Sequence, residues 1–229
     1  MPFYDYNLTA ENIQETLNTA KALGFSGVCL STKWTNIESL KSFKNQIASF
    51  KKIIDISVGV EIKEKHTKIP ELVNSLRREA ELILVHGGDL EVNRVAVETA
   101  GVDILLHPEL GRDDSGIDHT MARLAKKNNV AIEFSLSGLI HSSGLTRSRL
   151  WHSLLENSKL VKKYKVPFVL TSGAANNLGI RSPFDLLSFG RVLGFQDPEI
   201  NVALSDSIVK ENRKRLSSKW VMPGVEVVE

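Results

Sequence analysis

Seven short apolar runs, separated by amphipathic segments, constrain the fold of this chain more than any other feature of its sequence. The runs are rich in Leu, Ile and Val and lack the strict alternation of a half-exposed strand. This pattern favours parallel strands that are buried on both faces. Between the runs, apolar residues recur at helical spacing, most clearly from Leu150 to Tyr164. The predicted strands are residues 3–6, 27–30, 53–62, 82–85, 103–106, 130–134 and 167–170.

Strands that alternate with helices along a chain predict an α/β fold with a parallel sheet. Right-handed crossovers leave two architectures open, an open doubly wound sheet and a closed barrel. No Gly-x-Gly-x-x-Gly motif follows the first strand, which weakens the case for a dinucleotide-binding open sheet. We therefore predict a TIM-like (β/α) barrel, irregular because seven strands rather than eight are clear. No linker-like stretch interrupts the sequence, so residues 1–229 are predicted to form one domain.

The composition is that of an ordinary globular protein, with 42% hydrophobic and 24% charged residues, and it excludes fibrous and disordered classes. The single cysteine, Cys29, excludes an intrachain disulfide framework and a cysteine-based zinc site. Its apolar neighbours predict a small side chain in the core. No apolar run approaches the ~20 residues of a membrane span, and no signal peptide is visible. We therefore expect a cytoplasmic protein with no membrane partner.

The formal net charge of +2 conceals an uneven distribution along the chain. Residues 1–114 carry a net charge of −4, whereas residues 115–229 carry a net charge of +6. The total gives no reason to expect nucleic acid binding, but one face or one end of the fold can still be positive. A lysine-bearing helix face is commonly only solvated, so the distribution alone leaves both interpretations open.

Polar residues follow several of the predicted strands, and in a barrel such residues gather at one end. His86 and His107 end two successive strands, and Glu133 lies at the end of the next. Two imidazoles and a carboxylate can bind a divalent metal and activate water for hydrolysis. The alternative is that each histidine hydrogen-bonds a neighbouring loop. Residues 86–89 form a glycine-rich turn before a helix N-terminus, which suits an anion, although a plain tight turn capped by Asp89 explains it equally.

A loop of small residues at 171–177 leads to Arg181, directly before a helix start predicted from Ser182 and Pro183. Small residues allow a ligand to approach the backbone closely. A guanidinium at this place offers a planar fork for a phosphate or a carboxylate. The alternative is a structural ion pair of Arg181. Ser172 lacks the Gly-x-Ser-x-Gly context of a hydrolase nucleophile.

Six segments, taken together in their order and spacing, resemble the archaeal ribonuclease P protein component 3 family over essentially the whole chain. The segments are residues 3–7, 87–94, 111–118, 171–174, 181–186 and 223–228. The resemblance implies a TIM-like barrel that is a protein subunit of ribonuclease P. Such a subunit binds and supports the catalytic RNA, which removes 5′ leaders from precursor tRNA.

The resemblance also implies that catalysis and Mg²⁺ binding belong to the RNA, so we expect neither a catalytic residue nor a bound cofactor in this chain. The implied partners are ribonuclease P RNA, ribonuclease P protein component 2 and the other ribonuclease P proteins. The RNA-contacting side chains that it implies are Arg94, Arg112, Lys127, Lys162 and Arg181. Two of them, Arg94 and Arg112, lie in the acidic half, so we expect the fold to gather all five on one continuous basic face.

The fold is also similar to that of PHP-type metal phosphoesterases, which supplies an alternative hypothesis. Those enzymes open with His-x-His on the first strand, whereas residues 5–7 of this chain are Asp-Tyr-Asn. The closing Asp-x-His of those enzymes is absent near Ser172. The alternative function is a PHP-like phosphoesterase with a metal on His86, His107 and Glu133. A protein–protein scaffold without RNA contacts is a third possibility.

Overall fold

Seven parallel strands form the centre of the protein, and their order in the sheet follows their order in the chain. The structure is a computed structural model that describes residues 3–9, 12–217, 219–222 and 225–227. Side chains are described throughout these ranges except at 199–207 and 226. The strands are β1 Tyr4–Leu8, β2 Gly27–Lys33, β3 Asp55–Ile62, β4 Leu82–His86, β5 Ile104–Leu106, β6 Ala131–Ser135 and β7 Phe168–Thr171. Every predicted strand overlaps an observed one, which confirms the irregular seven-stranded α/β barrel.

Several helices begin at local capping signals. Asp89 accepts the N–H groups of Glu91 and Val92 at the start of α4. Ser182 and Asp185 form a reciprocal capping box at the start of α8, which has a proline in its first turn. The helices are α1 Ile13–Ala22, α2 Ile37–Ala48, α3 Ile69–Leu76, α4 Leu90–Glu98, α5 His119–Asn128, α6 Ser137–His141, α7 Gly144–Tyr164, α8 Pro183–Val192 and α9 Pro198–Arg215, with 3-10 turns at His66–Lys68 and Asn177–Gly179.

Alternate residues of the strands divide between two apolar clusters, one against the helices and one inside the barrel. Cys29 lies in the inner cluster with Leu84, Leu106 and Val169, and Val209 of α9 closes that cluster at one end. The Cys29 side chain is fully buried, as predicted. Burial raises the pKa of its thiol well above the ordinary value, so the thiol stays neutral and inert.

Helix α9 packs against the end of the barrel at which the strands begin, and ion pairs and hydrogen bonds hold it there. The Arg213 guanidinium donates to both oxygens of Asp55, at 2.8 and 2.9 Å, and its Nε donates to Glu81 at 2.7 Å. Beside it, Asn212 Nδ2 donates to Asp103 Oδ1 at 2.9 Å. These contacts cover the strand starts, so the opposite end of the barrel, where the strands finish, is left for the loops.

The ring of strands has one seam, between β1 and β7. Within the described residues no strand ladder joins these two strands. The backbone N–H of Thr9 donates to the carbonyl of Ala174 at 3.2 Å, and the N–H of Ser172 donates to the Asp5 carboxylate at 3.1 Å. Asp5 is completely buried, and burial raises its pKa to about 7. The barrel is therefore nearly closed, with a buried acid in its seam.

Some elements were not predicted from the sequence. Helix α6 is short, and strands β8 Trp220–Met222 and β9 Val225–Glu226 form a separate antiparallel hairpin. The hairpin strands are only three and two residues long, and Val221, Met222 and Val225 are exposed. The tail segment of the family resemblance, residues 223–228, lies only partly within the described residues. None of the helices in the described ranges combines the length and the apolar character that a membrane crossing requires.

Candidate functional site

Glu133, at the end of β6, binds side chains and backbone from three other parts of the barrel mouth. Its Oε1 accepts from Asn7 Nδ2 at 2.8 Å and from Thr171 Oγ1 at 2.6 Å. Its Oε2 accepts the backbone N–H of His107 at 3.2 Å and lies 3.0 Å from His107 Nδ1. The carboxylate is almost completely buried. Both of its oxygens are therefore occupied by protein donors from β1, β7 and the loop after β5.

His86, at the end of β4, is paired with a different carboxylate. Its Nδ1 lies 2.7 Å from Glu61 Oε1, and this hydrogen bond holds the pKa of Glu61 below its ordinary value. The rings of His86 and His107 meet edge to face, with their centroids 5.9 Å apart. The two histidines thus lie side by side but have separate acidic partners.

The three residues of the metal hypothesis do lie at the same end of the barrel. His107 and Glu133 are in direct contact, and His86 is adjacent to His107 but paired with Glu61. Among the described residues, no group of three or more His, Cys, Asp or Glu side chains is arranged to hold a metal ion. The partners of both histidines are strand carboxylates, Glu61 and Glu133, and not the neighbouring loops considered from the sequence as the alternative.

The glycine-rich turn at residues 86–89 packs tightly against the loop after β5. A Cβ added to Gly87 would lie 2.6 Å from the carbonyl oxygen of Leu106, and Gly88 has a φ of +103°. The Gly88 N–H donates to Asn93 Oδ1, and the first amides of α4 donate to Asp89. Close packing and capping therefore explain these glycines, and the amides proposed for an anion already have protein acceptors.

The roles of Asn93 and Glu109 were not predicted. Asn93 is fully buried on α4, and its Nδ2 donates to the carbonyls of Pro108 and Gly116, each at 2.8 Å, so it fixes the loop between them. An asparagine within the apolar stripe of a helix is the signal that could have revealed this role. Glu109 lies in that loop, where burial raises the pKa of its carboxyl group to about 7 and one oxygen has no partner.

Arg94 and Arg112, the predicted RNA contacts in the acidic half, both have acidic partners. Arg94 is exposed on α4, and its Nε donates to Glu98 at 3.0 Å one turn away. Arg112 forms a bidentate ion pair with Asp114, with both hydrogen bonds at 2.6 Å. This pairing raises the pKa of the Arg112 guanidinium. Arg112 is therefore held in place by a partner that also offsets its charge.

Arg181 is placed at the barrel mouth, in the loop before α8. Its backbone N–H donates to Ser172 Oγ at 3.0 Å, and its Nη1 donates to the carbonyls of Leu178 and Ile180. Among the described residues, no carboxylate pairs with Arg181, so the structural ion pair considered from the sequence is not found. Backbone contacts orient this guanidinium while its charge stays uncompensated.

Lys127 and Lys162 lie towards the opposite end of the barrel, near the C-termini of α5 and α7. Lys127 is exposed. The Lys162 ammonium donates to the carbonyls of Leu193 and Gly194, each at 3.2 Å, and lies 5.6 Å from the centre of the Phe195 ring. Lys162 thus links the end of α7 to the end of α8.

From the sequence, the five predicted RNA contacts were expected on one continuous basic face, but acidic side chains lie among them: Asp113, Asp114, Asp118 and Glu156 line a cleft beside α5 and α7. Two of the five predicted contacts, Arg112 and Arg181, follow strands β5 and β7, whereas Lys127 and Lys162 belong to helices returning to the other end. Helix α4 packs against α5, and α5 packs against α7. Since Lys162 joins α7 to the segment after α8, the elements that carry all five side chains are neighbours in space.

Comparisons with known proteins confirm the family resemblance. A family model described as RNase P subunit p30 matches residues 2–217. A protein of Methanosarcina mazei named ribonuclease P protein component 3 is 35% identical over 236 residues, which covers 99% of this chain and 96% of the relative. The protein of the same name from Methanococcoides burtonii is 33% identical over 233 residues, covering 99% of this chain and 94% of the relative.

A solved structure is similar over the same length. A chain in the cryo-EM structure of archaeal ribonuclease P with mature tRNA is 31% identical, has a TM-score of 0.84 and is matched over 98% of both chains. The full-length family match, the identity to the curated relatives and the shared fold lead to one conclusion. The chain belongs to the RNase P subunit p30 family.

Proposed function

We propose that this chain is the protein subunit of ribonuclease P that binds and supports the catalytic RNA in removing 5′ leaders from precursor tRNA. The observation that carries the proposal is the full-length similarity to a chain of archaeal ribonuclease P solved with mature tRNA. The barrel mouth supports it as well, because His86 is paired with Glu61 and His107 with Glu133. Catalysis then belongs to the RNA, and residues 1–229 act as one domain.

The physical role that we assign to the chain is counter-charge on a rigid scaffold. Folding a large RNA brings phosphates close together, and Lys and Arg side chains at fixed positions lower the repulsion between them. The proposed contacts are Arg94, Arg112, Lys127, Lys162 and Arg181. Of these, Arg181 has the strongest support, because backbone carbonyls orient its guanidinium and no described carboxylate offsets its charge. The proposed contacts lie on α4, α5 and α7 and in the loops after β5 and β7.

The proposal also assigns the Mg²⁺ ions to the RNA. Fixed protein cations and Mg²⁺ neutralise the same phosphates, so the chain lowers the concentration of Mg²⁺ that the folded RNA needs. The chain itself contributes no metal-binding group to the reaction.

The proposed protein partners are ribonuclease P protein component 2 and the other ribonuclease P proteins. We assign such contacts to the exposed apolar side chains on and beside α8, where Leu178, Phe184 and Val192 are 80%, 71% and 65% exposed. We expect Phe184→Ser to weaken co-purification of component 2 while RNA affinity stays unchanged. Leu145→Ser is the matched control, because Leu145 is 77% exposed but lies at the start of α7. Unchanged co-purification would place the partner elsewhere.

The function is tested by reconstituting ribonuclease P from its RNA and proteins with and without this chain. We expect the complete mixture to remove the 5′ leader at a lower Mg²⁺ concentration than the mixture that lacks the chain. The chain alone is expected to leave both precursor tRNA and a phosphomonoester substrate uncleaved. Equal Mg²⁺ curves for the two mixtures, or turnover by the protein alone, would contradict the proposal.

A further inference from the structure

A cleft of about 400 Å³ opens where helices α5 and α7 end, at the opposite end of the barrel from the mouth. Three lysines from the two helix ends line it together with an asparagine, and apolar side chains form its floor. The lining residues are Lys126, Asn129, Val161, Lys162, Lys165, Val166, Pro167, Phe168, Phe195 and Ile208. The rings of Phe168 and Phe195 stack in this floor with their centroids 3.9 Å apart.

The charged side chains among the described residues that line this cleft are all positive. No carboxylate occurs among the described residues that line it, whereas each of three other clefts of similar size has at least two. Those carboxylates are Glu64, Asp89 and Glu91 in one cleft, Asp55 and Glu81 in another, and Asp113, Asp114, Asp118 and Glu156 in the third. Three ammonium groups above an apolar floor produce a strong local attraction for an anion, because the floor screens charge less than water does.

The three lysines are not equivalent. Lys162 is held by the carbonyls of Leu193 and Gly194. Lys126 and Lys165 are exposed, and neither ammonium group has a hydrogen-bond or ion-pair partner among the described residues. Two of the three cations are thus available to a ligand, while the third adds its charge from a fixed position.

Lys165 occupies a backbone position that usually belongs to glycine or asparagine. It ends α7 in the left-handed conformation, with φ +52°, and its N–H donates to the carbonyls of Val161 and Lys162. The equivalent position after α5 is Asn129, with φ +57°. The left-handed conformation is less favourable for lysine than for glycine. Lysine at this position places an ammonium group at the edge of the cleft.

We propose that this cleft binds a phosphodiester of RNA, with the ammonium groups of Lys126 and Lys165 donating to the phosphate oxygens. The inference rests on the proposed function. It adds two RNA-contacting side chains, Lys126 and Lys165, to the five that the family resemblance implied. It also separates Lys126, which lines the cleft, from its neighbour Lys127, which does not. An acidic protein segment is the competing occupant.

The test measures equilibrium binding of the full-length chain to the ribonuclease P RNA of its own organism over a range of salt concentrations. Lys126→Ala and Lys165→Gly are each expected to weaken binding about three- to tenfold and to reduce the slope of log affinity against log salt by about one. Lys165→Gly is also expected to keep or raise the unfolding temperature, because glycine adopts φ +52° without strain. This separates loss of binding from loss of folding. Lys41→Ala, which removes an exposed lysine from α2 on another part of the barrel, is the control expected to bind as the wild type.

The outcomes distinguish this inference from the proposed function. If Lys126→Ala and Lys165→Gly bind RNA with wild-type affinity and slope while Arg181→Ala binds more weakly, the cleft assignment is wrong and the function stands. A loss for Lys127→Ala without a loss for Lys126→Ala also overturns the assignment. If the chain binds the RNA no more tightly than an unrelated neutral protein, the proposed function itself fails. If the cleft variants retain RNA binding but lose a ribonuclease P protein from the assembly, the occupant is an acidic protein segment.

Discussion

The carboxylate of Asp5 accepts the backbone N–H of Ser172 across the seam between β1 and β7, at 3.1 Å. Asp5 thereby supplies one hydrogen bond where the barrel has no strand ladder. The carboxyl group is completely buried near Glu133, and burial raises its pKa from the ordinary 3.8 to about 7. The carboxyl group that helps to close the ring of strands therefore titrates near neutral pH.

Replacing Asp5 should change how stability depends on pH. Because its folded pKa lies above its unfolded value, the folded chain retains a proton that the unfolded chain releases between about pH 4 and pH 7. The stability that Asp5 contributes by retaining this proton is fully present below about pH 4 and is lost as the pH rises through about 7. We expect Asp5→Asn to gain stability relative to the wild type as the pH rises over that range, as measured by unfolding temperature.

Glu109 shows the same upward shift of its pKa to about 7, so Asp5→Asn should flatten only part of the wild-type curve. The double variant Asp5→Asn, Glu109→Gln should flatten more of it. Wild-type and Asp5→Asn curves that run parallel from pH 4 to pH 8 would show that the seam does not titrate.

Glu133 is expected to be essential for the stability of the barrel mouth. Glu133→Ala leaves buried donors of Asn7, Thr171 and His107 without an acceptor, which should lower the free energy of unfolding by about 3–5 kcal/mol. Glu133→Gln retains an acceptor for Asn7 and Thr171 and should cost less. Urea unfolding measures both changes. A catalytic role in place of this structural one would leave the stability of Glu133→Ala unchanged.

The ion pair between Arg112 and Asp114 is expected to affect RNA affinity. If Arg112 contacts phosphate, Asp114 competes with the RNA for its guanidinium and repels the backbone. Asp114→Asn should therefore tighten RNA binding by roughly threefold, whereas Arg112→Ala should weaken it by a similar factor. Direct binding at fixed salt measures both. Equal affinity for the wild type and the two variants would remove Arg112 from the interface.

Arg181 should affect the Mg²⁺ dependence of the reconstituted enzyme. Arg181→Ala is expected to raise the Mg²⁺ concentration for half-maximal cleavage roughly twofold, because one fixed counter-charge is lost. Arg181→Lys should restore only part of the effect, since an ammonium group cannot reproduce the planar fork. Lys41→Ala serves as the charge-matched control. A wild-type Mg²⁺ curve for Arg181→Ala would exclude this residue.

The elements that the sequence predicted correctly are those with local signals. The strands are continuous apolar runs, and Asp89 and Ser182 cap helices whose first turns lie directly after them. The pairing of Asn7 with Glu133 joins residues that are 126 positions apart, and no local pattern encodes such a contact. The hairpin of β8 and β9 was not predicted because strands of three and two residues are too short to form a recognisable pattern.

In the candidate site, too, the sequence predicted the residues but not the contacts between distant parts of the chain. The basic residues were available from the sequence and the family resemblance, but their partners were not. Only the fold shows that Lys162 binds the carbonyls of Leu193 and Gly194, and that Lys126 shares a cleft with it. Whether a lysine is free to meet a phosphate depends on the elements that pack around it, and these come from distant parts of the chain.

Hydroxyl-radical footprinting of ribonuclease P RNA, reconstituted with and without this chain, shows whether the chain contacts the RNA backbone. We expect backbone protections that appear with the wild-type chain and that weaken at separate places in the Arg181→Ala and Lys126→Ala variants. An RNA backbone equally accessible with and without the chain, in a complex shown to contain it, would contradict the claim that these basic side chains bind RNA.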